Sequence, residues 1–359
     1  MSHIFHSGLL VLLSAVAVAG CGGSTKPTAQ APGDDPTRPA AAMTLEDARG
    51  QVAAFADSIG SSLEPSAPAP ISIADAVDIF KKDDVVRFDQ AISYLSGIQG
   101  LESLALRAAL DAYRAGMLLG LADFFNASAV KLSAEAAQLE SKAAGGSPLS
   151  VDEENRRRRF SDEAATKRRL SDALRVIAGD RLSVAETLAT DLMTQFPDKP
   201  AGYQSMARVH QLRGEWRLFD ENIKEAERLL GDAPGFSVQY QRVFEAWKRN
   251  ASPDDARVKL EALRDSLPDY VRIQASLVFL QPDISARYAE LQKLKAMNPG
   301  HLLVLLAGPS IQKEYETASA IRDALAPAGT SAASDGDGAA ESGAGEGTAD
   351  ASATDTTQQ

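Results

Sequence analysis

The sequence predicts an all-α protein in which antiparallel helix pairs stack into an α-solenoid behind an N-terminal helical region. Three observations predict it. In 196–234, Tyr203, Met206, Ala207 and His210 fall at i, i+3, i+4 and i+7, the stripe of one helix face. Gly214 closes that helix, and Phe219, Ile223 and Ala226 then mark the inner face of a second. The same two-helix pattern returns at about 34 residues, and Pro197, Pro234, Pro268, Pro299 and Pro327 close successive units at intervals that shorten along the chain.

The copies drift. Upstream, Ala185, Ala189, Leu192 and Pro197 repeat the second-helix half. Downstream, Tyr240, Val243, Phe244 and Trp247 give a first helix, and Ala256, Leu260, Leu263 and Pro268 a second. A further copy keeps Leu291, Leu294 and Pro299 with Arg287 at the small-residue position, and the segment to Pro327 keeps only a helical stripe. Over 170–299 the chain resembles the tetratricopeptide repeat, departing from it at His210, Phe219 and the late Pro234. The resemblance implies a concave groove that binds an extended peptide or a helix of a partner, and recognition before catalysis. Carried over by repeat position, the groove-facing residues are Gln204, Arg208 and Gln211 on one first helix and Gln241, Glu245 and Lys248 on the next.

The elements follow in order. Residues 1–20 read as a signal peptide, with a short apolar run, Leu9 to Ala19, before Cys21. Val18, Ala19, Gly20 and Cys21 resemble a bacterial lipobox, which implies that Cys21 carries a diacylglyceryl group and becomes the mature N-terminus. Two acyl chains hold a protein stably at a membrane. By analogy with enterobacterial lipoproteins, Gly22 favours the outer membrane, facing the periplasm, over the inner membrane. Residues 21–42, rich in Pro, Gly, Ala and Thr, read as a disordered tether reaching on the order of 25 Å.

Residues 43–145 read as an N-terminal helical region. Thr44 with Asp47 and Ser72 with Asp75 look like capping boxes that open two helices, and Val85, Phe88, Ile92 and Leu95 share a face of a helix that ends at Gly97 to Gly100. The most apolar helix runs from Leu101 to Phe125 and carries Gly116 and Gly120, a small-xxx-small spacing that lets a neighbour pack closely. Arg107, Asp111, Arg114 and Asp123 argue against a membrane span, each charge at bilayer depth costing about 2.5–3.5 kcal/mol, and Arg107 can pair with Asp111 at i, i+4. Gly145 to Ser150, with Pro148, marks a break before the repeat region, 150–327. A helix from Asp152 to Ile177 opens it, its outer face laced by i, i+4 pairs such as Glu153 with Arg157 and Glu154 with Arg158. Residues 328–359, acidic and without an aromatic or basic residue, read as a disordered tail, where Asp335, Asp337 and Glu341 echo a calcium loop only faintly.

Charge and missing residue types narrow the function. The net charge is −12, and half of the acidic excess falls in the tail, so no basic surface for nucleic acid is implied. The chain has one cysteine, and of its four histidines only His210 and His301 lie beyond the signal segment, both read as packing or capping residues. That leaves no thiol nucleophile and no cysteine or multi-histidine zinc site, and no nucleophile elbow or phosphate-cradling loop occurs. No cofactor, metal or enzymatic activity is expected.

The first functional expectation is a membrane-anchored scaffold that holds an envelope protein or peptide in the repeat groove, similar in plan to tetratricopeptide lipoproteins of outer-membrane assembly. The second is a ligand-handling lipoprotein similar to the T-components of tripartite periplasmic transporters. An apolar cavity between the two regions favours the second, and an open groove the first.

Overall fold

The computed structural model describes residues 43–65, 67–232 and 235–325, all within one compact unit. The residues read as a signal peptide, tether and tail, with Cys21, Pro234 and Pro327, lie outside the described residues. The described residues are helical, with no strand among them. In order they form α1 (Leu45–Ser58), α2 (Ile73–Lys81), α3 (Phe88–Ser96), α4 (Leu101–Ala144), α5 (Val151–Gln195), α6 (Pro200–Arg213) and α7 (Trp216–Leu230). There follow α8 (Phe236–Lys248), α9 (Pro253–Ser266), α10 (Val271–Leu280), α11 (Ile284–Met297), α12 (Leu302–Leu306) and α13 (Gly308–Leu325).

The break at Gly145 to Ser150 folds the chain into a hairpin of two long helices, α4 with 44 residues and α5 with 45, each roughly 65 Å by helical rise. Both run past their predicted ends: α4 continues beyond Phe125 to Ala144, with Ala129 and Ala136 buried, and α5 continues beyond Ile177 because Leu182, Ala185, Leu188, Ala189 and Leu192 extend its buried stripe. It opens on a reciprocal cap: Glu153 N–H donates to Ser150 Oγ, and Ser150 N–H donates to Glu153 Oε2. The capping boxes read at Thr44 and Ser72 form by half: each side chain accepts from the backbone N–H three residues on, but Asp47 takes the Thr44 hydroxyl and Asp75 the Ile71 N–H in place of the cap residue's own N–H.

Polar rungs join the hairpin. Lys167 Nζ donates to Ser128 Oγ at 2.7 Å, Ser171 Oγ to the Ala122 carbonyl at 2.8 Å and Arg175 Nη2 to Asp123 Oδ1 at 2.6 Å. These rungs change two expected pairings. Asp111, fully buried, pairs with Arg181 across the hairpin at 3.3 Å rather than with Arg107 on its own helix. Glu153 pairs with Lys142 rather than Arg157, which instead takes Glu154 and Glu140, while Glu154 with Arg158 forms as read.

Among the described helices α4 is the one long and apolar enough to cross a membrane by length and composition. Its centre is spent on packing: Leu110, Leu121 and Phe125 join one core with Phe88 of α3, Leu174 and Ala178 of α5, and Leu294, Leu303 and Ile311 of the C-terminal helices. From α5 onward each helix through α7 packs on its predecessor, α8 to α11 do the same, and α13 closes on α11. The α4 helix also lies against α6, and α6 against α8. Gly214 ends α6 at φ +75°, the left-handed cap that glycine adopts without a Cβ penalty.

A buried polar junction ties the two ends of this unit together. Asp83, at φ +49° just past α2, is fully buried; its Oδ1 pairs with Arg272 Nη2 of α10, and its Oδ2 lies 3.0 Å from His301 Nε2. His301 Nδ1 accepts the Leu303 N–H at 3.1 Å and caps α12, so the ring proton sits on Nε2 and is donated to Asp83.

Candidate functional site

The site grows from the two glycines of α4. A Cβ on Gly116 would come within 2.5 Å of Arg208 Nη2, and one on Gly120 within 3.1 Å of the Phe279 ring. The small-xxx-small spacing thus admits α6 and α10 against α4, and the neighbour at Gly116 is a guanidinium.

This approach covers the face of α6 and α8 that the sequence reading assigned to an open groove. Arg208, Gln211 and Gln241 are buried, at 2, 3 and 0 % exposure. Their polar groups work internally: Arg208 Nη1 donates to Gln211 Oε1 at 2.7 Å, Gln211 Nε2 to the Gln241 carbonyl at 2.7 Å, and Gln241 Nε2 to the Gln204 carbonyl at 3.0 Å and Ser237 Oγ at 3.0 Å. Gln204 is half-buried. Glu245 is tied to Arg242 and Arg249 at 3.0 and 2.9 Å. Of the six, Lys248 alone is exposed, its Nζ 3.2 Å from Asp123 Oδ2 and over the Trp247 ring at 4.5 Å.

Between α4 and the faces of α6, α8 and α10 remains a cavity of about 340 Å³, within the range of small-molecule sites. Its apolar wall is Met117, Leu212, Phe244, Trp247 and Phe279, and Trp216 stands at its edge. Exposed Arg213, Gly214 and Lys248 belong to its lining, so the cavity reaches the surface there. Five cationic side chains, Arg175, Arg208, Arg213, Lys248 and Arg272, line it against one carboxylate, Asp123.

The two deepest cations differ. Arg272 has its counter-ion in Asp83 and lies over the Tyr113 ring at 4.3 Å. Arg208 has no carboxylate partner among the described residues; Phe244, Tyr113 and Tyr240 surround its guanidinium at 4.5, 5.3 and 5.5 Å, and its Nε, like the Nε and Nη1 of Arg272, has no hydrogen-bond partner. Burial pushes the Arg208 guanidinium below its ordinary pKa and pushes the Tyr113 hydroxyl up to about 12. Tyr113 therefore stays a neutral hydroxyl that donates to Ser237 Oγ at 3.2 Å.

Sequence reasoning missed Tyr113, Arg272 and Phe279. The lone Arg272 in the apolar run VRIQASLVFL was the available signal, since a charge in such a stripe needs a buried purpose. No group of three or more His, Cys, Asp or Glu stands together to hold a metal ion among the described residues. Set beside known proteins, the chain matches no family model, no curated sequence and no solved structure.

Proposed function

We propose that this chain is a non-enzymatic, ligand-handling lipoprotein of the cell envelope, anchored through Cys21 and holding a small molecule between α4 and its repeat helices. In this reading α6 with α7, α8 with α9 and α10 with α11 are drifted tetratricopeptide-like pairs, and α4 occupies the concave side that other such arrays leave for a partner. The supporting observation is the cavity of about 340 Å³ walled by aromatic and cationic side chains, at the place where an open groove was the alternative. The lipobox residues Val18 to Cys21 support the anchor, and Gly22 supports the outer membrane facing the periplasm. The plan is similar to that of T-components of tripartite transporters.

Native mass spectrometry of the full chain, extracted from its own membranes in mild detergent, tests the reading. A small-molecule mass adduct that disappears in the cavity-filling variant Leu212→Trp is the expected result. An unliganded chain that crosslinks from position 248 to one recurrent envelope protein returns the scaffold reading instead. The anchor is tested separately, by loss of metabolic palmitate labelling in Cys21→Ala.

A further inference from the structure

We infer that the ligand of this cavity is an amphiphilic organic acid, its carboxylate set against Arg208 and its apolar body against Phe244, Trp247 and Phe279. This rests on the ligand-handling reading and adds the chemical class. The first ground is the contrast between the two buried arginines. Arg272 carries its own counter-ion, Asp83, as a structural arginine does. Arg208, equally buried, has only the neutral Gln211 Oε1 and three ring faces, which leave its charge without a carboxylate; an unbonded Nε is common to both arginines. A guanidinium lining a cavity with donors to spare matches a carboxylate in charge and in geometry.

The second ground is the balance of the wall: Asp83 answers Arg272 and Glu186 answers Arg213, which leaves Arg175, Arg208 and Lys248 against one carboxylate in a chain whose net charge is −12. That one carboxylate, Asp123, is already held between Arg175 and Lys248. The field at the opening therefore draws anions into a protein that otherwise repels them. The third ground excludes a bare inorganic anion: Met117, Leu212, Phe244, Trp247 and Phe279 would then face empty apolar space. A cavity with room for on the order of ten water-sized groups suits an acid with a single ring and a short chain.

The probes are 4-phenylbutyrate and its uncharged analogue 4-phenylbutan-1-ol, titrated into the full chain by calorimetry and by tryptophan fluorescence. Both tryptophans of the chain, Trp216 and Trp247, line the cavity and report its occupancy. The acid is expected to bind roughly tenfold or more tighter than the alcohol, and Arg208→Gln to erase that difference, read as the ratio of the two affinities within each protein. Equal binding of acid and alcohol by the wild type overturns the acid assignment and leaves the ligand-handling reading standing. Saturation by neither at about 1 mM overturns both. Should Arg208→Gln not fold, the acid-to-alcohol comparison in the wild type decides alone.

Discussion

Gly116 of α4 lies against the guanidinium of Arg208 so closely that a methyl group on the glycine would stand 2.5 Å from Arg208 Nη2. The contact joins α4 to α6 through the end of one side chain. A different glycine, Gly202 of α6, approaches main chain: its Cβ would meet the Met193 backbone nitrogen of α5 at 2.9 Å and Met193 Cγ at 2.7 Å.

The two glycines therefore predict different costs. At Gly202 neither helix backbone can yield, so Gly202→Ala loses about 1–3 kcal/mol of unfolding free energy. At Gly116 the guanidinium end can shift and alanine gains helix propensity, so Gly116→Ala stays within about 1 kcal/mol of wild type. Urea denaturation monitored by circular dichroism checks the order, and equal losses at the two sites contradict it.

The buried junction predicts strong non-additivity. Asp83→Ala leaves Arg272 buried with no counter-ion and costs about 3–5 kcal/mol. Removing the charge as well, in Asp83→Ala with Arg272→Met, restores most of that loss. A double variant as unstable as the sum of its parts shows that the two residues are not coupled.

The same junction predicts acid sensitivity of one sign. Burial first, and Arg272 second, hold His301 down at about 3 against an ordinary 6.5. Below pH 6.5 the unfolded chain takes up a proton that the folded chain refuses, so His301 makes stability fall as pH drops from 6.5 toward 3, by about 1.4 kcal/mol per pH unit at most. Above 6.5 its contribution is flat. His301→Asn keeps an N-cap acceptor and loses this slope, measured as unfolding free energy against pH beside the wild type; parallel curves contradict the assignment.

The sequence carried the helices more fully than it carried the site. Stripes such as Phe219, Ile223 and Ala226, the caps Thr44 and Ser72, and the closing Gly214 are local signals, and each was readable from its neighbours alone. Hairpin pairings such as Asp111 with Arg181 were not, because residues far apart in sequence choose partners only once two long helices lie side by side. Arg208, Gln211 and Gln241 read as the lining of a partner-binding groove by repeat position, since nothing local says that α4 will cover them. Gly116 and Gly120 announced a close neighbour without naming it, and its identity is what turns a groove into a cavity.

The claim that α4 covers this face is tested most directly at Gln241. In the full chain the thiol of Gln241→Cys is compared for maleimide reactivity in the folded protein and in denaturant, with the wild type accounting for any signal from Cys21, the chain's single cysteine. Burial under α4 predicts modification slower by roughly a hundredfold or more in the folded state, as for a site that reacts only on opening. Labelling of the folded protein at the rate of the unfolded chain would mean that the face is open to solvent, and with it the cavity would go.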